Sequence, residues 1–170
     1  TFESAYGMLR MKLAFAFQDY QFLLDDDAIS DDDKSIFKRI LGRTASMDET
    51  KSCFLLLTRM LEIHFKKSAV VILDEYDVPI AKASSNGYYS QMLDVMRAMM
   101  STTLKDNTSL DFAVITGCLK IAKESIFTGT NNFVSDTILS PRLSESFGFT
   151  QTDVDQMLKD AGLESQSAEI

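Results

Sequence analysis

The segment VVILDEYDVP, residues 70–79, constrains this chain more than any other. Ala69–Leu73 is a short β-branched run of the kind that fills a buried parallel strand. It stops abruptly at two adjacent carboxylates, Asp74 and Glu75, and Asp77 and Pro79 extend the acidic turn. A second run, Leu110–Ile115, reads as another buried strand and ends in Thr116-Gly117. Between them Tyr89, Met92, Leu93, Met96, Met99 and Met100 recur at helical spacing, a methionine stripe that reads as core filler. Strand, crossover helix and strand make a βαβ unit, whose connection rules require parallel pairing. A third strand is expected over residues 133–139. The fold class is therefore α/β.

The rest of the chain reads as helix. Phe2, Tyr6, Leu9, Leu13, Phe17, Tyr20 and Leu24 predict an amphipathic helix over residues 2–24. Ser30 and Asp33 form a capping pair before a short helix closed by Gly42. Ser46 and Glu49 form a capping box before a long helix through Phe65 that is apolar on most of its surface. Thr150 and Asp153 cap a last helix carrying Val154, Met157 and Leu158, which Gly162 stops. The aspartates at 25–27 and 31–33 lack the glycine turn and terminal glutamate of a calcium loop, and read as a solvated linker and an acidic helix start. Residues 1–163 read as one partial domain and 164–170 as a polar tail.

Composition bounds the function. With 45% apolar and 25% charged residues the chain is an ordinary globular sequence, and no stretch reaches the roughly 18 apolar residues of a membrane span. There is no signal-peptide pattern, so a cytoplasmic piece of an intracellular protein is expected. Net charge is −8, which argues against a broad nucleic-acid surface built on Lys and Arg. Cys53 and Cys118 both stand in apolar contexts and read as buried, reduced thiols. A single histidine, His64, rules out a His/Cys zinc cluster and suits a helix C-terminus.

Asp74 and Glu75 are the candidate chemical groups. Ligands of open α/β sheets bind at the carboxyl edge, where these acids fall. In nucleotide hydrolases the first acid of such a pair holds magnesium and the second orients or deprotonates the attacking water. Thr116 ends the neighbouring strand, where a side chain that reads the γ-phosphate would stand; a turn residue before glycine is the plainer reading. Lys120 and Lys123 read as solvated loop lysines, and the Gly and Asn content of residues 125–132 as turn chemistry.

Three segments together resemble the predicted AAA-ATPase-like family, whose members show LIDEYDxP, TG(V)xxxxxxSIFSGLNN and FGFTxxEV motifs. Asp74, Glu75, Tyr76, Asp77 and Pro79 match the first. Thr116, Gly117, Ser125, Ile126, Phe127, Gly129, Asn131 and Asn132 match the second, with Thr128 where serine is common. Phe147, Gly148, Phe149, Thr150 and Val154 match the third. The likeness is strong from Val70 to Leu158 and of helical type before it. It implies a three-layer P-loop NTPase-like parallel sheet flanked by helices. It also implies ATP and Mg2+ as ligands, Asp74 and Glu75 as Walker B acids with Asp74 on the metal, and Thr116 near the sensor position. Proteins of this kind often carry a nuclease-like domain downstream, and nothing here matches one.

No GxxxxGK[ST] phosphate loop is present. The expectation is an N-terminally truncated domain that keeps the acids, lacks the phosphate cradle and is inactive alone, with a sheet edge open to self-association. Two rival readings stand beside it. One is a non-hydrolysing interaction module on the same fold; the other is a magnesium-dependent nuclease using Asp74, Glu75 and Asp77.

Overall fold

A computed structural model describes residues 1–118, 134–137, 140–143, 145–146 and 148–163. The chain divides into two compact units, Thr1–Asn131 and Asn132–Ile170.

In the first unit the helices come first. Helix α1, Phe2–Gln18, buries Leu13, Ala14 and Phe17. The predicted helix ran to residue 24, but the chain breaks after Gln18 and re-forms as a 3-10 turn over Gln21–Asp25 that buries Leu23. Helix α2, Asp31–Leu41, starts on Ser30, whose hydroxyl accepts from the Asp33 N–H at 3.2 Å. Asp31, Asp32 and Asp33 lie in its first turn and Lys38 and Arg39 in its last, each sign placed to favour the helix dipole. The helix ends where expected, with Gly42 as its C-cap, but the left-handed residue falls one position later. Gly42 stays right-handed at φ −76, and Arg43 takes the left-handed position at φ 58. Thr44 and Arg43 then donate to the Arg39 and Ile40 carbonyls, a Schellman closure without its usual glycine. The Arg10 guanidinium, donating to the Arg43 carbonyl at 3.1 Å, helps to hold this turn.

The capping box at Ser46 and Glu49 is fully formed, but the long helix predicted behind it is two helices. Helix α3, Met47–Lys51, ends at Ser52, and α4, Cys53–Phe65, begins there. Ser52 donates both its N–H and its hydroxyl to the Asp48 carbonyl, the local competition that bends serine-bearing helices. Strand β1 is Ala69–Leu73, and β2, Leu110–Ile115, pairs with it in parallel from Ala69↔Leu110 to Leu73↔Ile115, with an irregularity after Ala69. Two helices lie between the strands, α5, Val78–Ser85, and α6, Tyr89–Leu104.

Helix α6 is the hub of this unit, touching α1, α3, α4, α5 and β2. Its methionine stripe, Met92, Met96, Met99 and Met100, is buried as core filler. Phe17 and Phe37, both fully buried, pack ring to ring at 4.9 Å between α1 and α2. Asn107 joins α6 to β2 and α4: its amide donates to the Thr103 carbonyl and the buried Thr58 hydroxyl, while its oxygen accepts from the Ser109 N–H.

The βαβ unit and its parallel pairing are as expected, but the strands are not buried on both faces. Val70, Ile72, Phe112 and Val114 are exposed, Ile72 at 73%, because α4 and α6 cover only the opposite face. The described sheet has two strands, and a complete three-layer sheet is not seen. Residues 134–137 of the expected third strand are not strand; the others of that segment lie outside the described residues, as do Lys120, Lys123, residues 125–132 and the polar tail. In the second unit α7, Gln151–Asp160, has the expected Thr150–Asp153 capping box. It closes as a Schellman motif on Gly162, φ +70, with Leu163 donating to the Leu158 carbonyl at 2.8 Å. No helix among the described residues is long and apolar enough to cross a membrane. Cys53 is buried and its thiol is pushed up to about 12 by burial; Cys118, expected to be buried, is exposed.

One buried charge holds α2 to α4. The Asp33 carboxylate, its side chain 7% exposed, is ion-paired with Arg59. The Arg59 hydrogen bond, helped by Ser30, holds the Asp33 carboxyl below its usual range against the upward push of burial. A group depressed in this way stabilises the fold above its unfolded pKa, and the contribution is lost as pH falls through the folded value. Arg59→Ala should therefore cost about 1–2 kcal/mol at pH 7, since Arg59 is half exposed and solvent already screens it. Urea titrations from pH 7 to pH 2.5 should show the gap between the two proteins closing below about pH 4, as Asp33 protonates. A gap that stays constant with pH contradicts the assignment.

Candidate functional site at the carboxyl ends of the two strands

The strand pairing brings the site together. Because Leu73 is paired with Ile115, the residues that follow, Asp74 and Thr116, emerge side by side at the carboxyl edge of the sheet. The Thr116 N–H donates to the Leu73 carbonyl at 2.9 Å, and the Tyr76 N–H donates to the Thr116 carbonyl at 3.2 Å. The ladder thus continues past the last formal strand residue and locks the two strand ends together.

Within this frame one oxygen of Asp74 does double duty. Its Oδ1 accepts the Thr116 hydroxyl proton and also the Glu75 N–H, the latter at 2.9 Å. The second contact turns the backbone sharply, and Glu75 sits in the left-handed region at φ 54. Non-glycine residues pay for that conformation, and such strain gathers at functional sites. The turn leaves the Asp74, Glu75 and Thr116 side chains all exposed at the sheet edge. The sequence picked out these three residues; the direct Asp74–Thr116 hydrogen bond and the strained turn are what the structure adds.

Asp77 and Pro79 do something other than extend an acidic loop. Asp77 is 3% exposed and occupies the N-cap position of α5, with Pro79 in the first turn. An aspartate followed two residues later by proline is a helix-start signal, and it was legible in the sequence. The backbone carbonyl of Asp77 accepts from the Ile80 and Ala81 N–H groups, which begins the helix. Burial and the neighbouring Asp77 charge raise the Tyr76 phenol above its ordinary range. Both side chains press on Gly117: a Cβ there would lie 2.5 Å from Asp77 Oδ1 and 2.7 Å from the Tyr76 ring. Glycine at 117 is a close-approach requirement that fixes the β2 end against the start of α5. Position 117 matters for this packing, which the turn reading of Thr116-Gly117 did not reveal.

With Asp77 buried in the helix start, the three acids of the nuclease reading do not converge. Among the described residues no group of three His, Cys, Asp or Glu side chains could hold a metal ion. Magnesium at a nucleotide site needs less, one or two protein ligands with phosphates and waters completing its shell, and the exposed Asp74 carboxylate beside a hydroxyl fits that demand. The phosphate cradle does not come from the described residues, since the chain carries no GxxxxGK[ST] loop. His64, outside this site, is tied down structurally. Its Nδ1 lies 2.7 Å from Asp26 Oδ2, and its ring packs edge-on to Phe65 at 4.6 Å.

Comparison with known proteins shows the family. The family model for a predicted AAA-ATPase matches residues 8–127, which takes in the N-terminal helices as well as both strands and stops before the FGFT segment. The chain is 30% identical over 122 residues to the uncharacterized protein in the vnfD 5′ region of Azotobacter chroococcum mcd 1. That match covers 71% of this chain and 23% of the relative, so the chain spans about a quarter of the relative's length. No solved structure matches. With more than half of its length matched by that model, the chain belongs to the predicted AAA-ATPase family.

Proposed function

We propose that this chain is the acid-bearing half of an ATP-binding and ATP-hydrolysing domain, part of a larger protein. The observation that carries the reading is the side-by-side placement of Asp74 and Thr116 at the ends of two paired parallel strands, joined by a hydrogen bond. Asp74 is the residue to hold magnesium, and Glu75, one residue on and exposed, is the residue to orient water. Thr116, hydrogen-bonded to Asp74, is the residue to sense a terminal phosphate. Magnesium, when bound, supplies positive charge for the β- and γ-phosphate oxygens. The pair comes from rigid strand ends, so its spacing is set before any ligand arrives.

The rest of the reading concerns the whole protein. The backbone amides and lysine that cradle phosphates must come from polypeptide outside residues 1–170, and this chain alone is expected to turn over no ATP. The test extends the chain upstream to the strand and GxxxxGK[ST] loop that the gene is expected to encode. Mg-ATP at about 100 times its dissociation constant should raise the melting temperature of that product by ~5–10 °C. Asp74→Ala should remove the magnesium dependence of the shift. A gene without such a loop, or a product with the loop and no Mg-ATP shift, would leave the interaction module as the better description.

A further inference from the structure

Glycine is required at 117 for space, not for backbone freedom. The described glycines with left-handed backbone are Gly87, Gly148 and Gly162, and none of them has a neighbour within 4 Å of where a Cβ would stand. Gly117 is the reverse case. Its backbone is not left-handed, yet a Cβ would meet Asp77 Oδ1 at 2.5 Å and the edge of the Tyr76 ring at 2.7 and 2.8 Å. No other described glycine has a contact under 3.0 Å.

The surroundings decide which side of that contact would yield. Asp77 is 3% exposed, and its carbonyl accepts from the Ile80 and Ala81 N–H groups at 3.0 and 2.9 Å. Ile80 and Ala83 are buried on the same helix, so the start of α5 has no room to retreat. The end of β2 is held more lightly. Thr116, the residue before the glycine, is tied through its carbonyl to the Tyr76 N–H at 3.2 Å and through its hydroxyl to Asp74. A side chain at 117 needs about 0.5–1 Å of extra room to reach van der Waals distance from Asp77, and the β2 end is the part that can supply it.

We infer that Gly117, clamped by Tyr76 and Asp77, is a positioning residue for the candidate site: it sets the Thr116 hydroxyl on the Asp74 carboxylate. Tyr76 and Asp77 follow Asp74 after β1, and Gly117 follows Thr116 after β2. Close approach of the later residues therefore fixes the spacing of the earlier ones. Moving residue 117 by that distance stretches the bond between the Tyr76 N–H and the Thr116 carbonyl toward about 3.6 Å or more, where it ceases to be a hydrogen bond. The same motion draws the Thr116 hydroxyl off Asp74. Its consequence for sensing a terminal phosphate rests on the proposed reading of Asp74 and Thr116; the clamp itself does not need ATP.

Hydrogen exchange and nucleotide affinity test the two halves separately. In the 170-residue chain, Gly117→Ala should speed exchange of the Tyr76 amide at least ~10-fold. The Ala69 amide, which donates to the Ser109 carbonyl at 2.8 Å at the other end of the strand pair, should exchange as in the parent. Asp77→Ser shortens the clamping side chain and keeps a residue suited to a helix start, so in that background Gly117→Ala should cost less Tyr76 protection. In a gene product that carries the phosphate loop, Gly117→Ala should reduce the preference for Mg-ATP over Mg-ADP about tenfold, the scale of one hydrogen bond to a charged group. Affinity for Mg-ADP should stay within about threefold, whereas a merely structural loss lowers both affinities together. Unchanged Tyr76 exchange in Gly117→Ala overturns the clamp, as does an equal loss with and without Asp77→Ser. Ala69 exchange that speeds up equally means that the glycine serves the whole fold, and overturns the positioning role. So does a Gly117→Ala product that prefers Mg-ATP as strongly as its parent. A parent product without that preference sinks the nucleotide reading and the positioning role with it, while Tyr76 exchange still decides the clamp.

Discussion

Replacing Phe17 with alanine lowers the unfolding free energy by about 4 kcal/mol, among the largest losses expected from a single side chain in the first unit. Phe17 is fully buried on α1, and its ring lies 4.9 Å from that of the equally buried Phe37 on α2 at an interplanar angle of 49°. Truncation removes the apolar transfer term of a whole aromatic ring and leaves a cavity that two rigid helices cannot collapse into. It also takes away the tilted ring contact, worth about 0.5–1.5 kcal/mol beyond buried area. Against the ~5–15 kcal/mol that holds an ordinary domain together, this is enough to bring the fold close to its limit. Urea unfolding should show the midpoint falling with the m-value unchanged. Met8→Ala on the same helix is the control: Met8 is 55% exposed and its loss should stay within about 0.5 kcal/mol. Equal costs for the two would mean that the α1–α2 packing described here is not what holds that end of the chain.

That contact illustrates which parts of the fold could be read from the sequence. Phe17 was legible as a core residue because helical spacing singles it out, as it does the α6 methionines. The caps at Ser30, Ser46 and Thr150 were legible because each is a local event, a hydroxyl and an N–H three residues apart. What failed was decided over longer distances or by competition. The chain bends at Ser52, whose hydroxyl shares the Asp48 carbonyl with its own N–H, although the apolar pattern ran on. Gly42 closes α2 as expected, but the left-handed position falls on Arg43, whose carbonyl takes a hydrogen bond from Arg10, a residue 33 positions away. The strands looked buried because β-branched runs suit buried parallel strands; their composition could not tell that one face would be left bare among the described residues. Helix α5 was missed for a different reason, since Asp77 and Pro79 were read only as the end of a strand.

The site divides in the same way. Asp74, Glu75 and Thr116 could be named from residue type and from their place at strand ends, because parallel pairing forces consecutive strand ends to the same edge. That Asp74 Oδ1 accepts from Thr116 is a consequence of register, whereas its bond from the Glu75 N–H and the left-handed backbone of Glu75 are local to the turn, where no residue-type pattern marked them. A one-residue slip would have put Asp74 and Thr116 on opposite faces. The clamp of Tyr76 and Asp77 on Gly117 depends on the crossover returning β2 beside the start of α5, and no local pattern encodes it.

In a product of the gene that carries the phosphate loop, Glu75→Gln should lower the rate of ATP hydrolysis by at least ~100-fold and leave Mg-ATP affinity within about threefold. The substitution isolates one property. Glutamine has the size of glutamate and the same backbone preferences, so the left-handed turn at φ 54 costs both residues alike, and the exposed side chain contributes little to packing. What disappears is the ability to accept a proton from water, an effect of about 10²–10⁴ where a carboxylate serves as general base. Asp74→Asn behaves differently, because Asp74 accepts the Thr116 hydroxyl and the Glu75 N–H: it should weaken magnesium-dependent binding and loosen the strand ends together. Steady-state turnover beside nucleotide titration separates the two outcomes, kcat falling alone for Glu75→Gln and affinity falling for Asp74→Asn. If Glu75→Gln hydrolyses ATP at the parent rate, the water is oriented elsewhere, and the strained turn at Glu75 serves only to present Asp74.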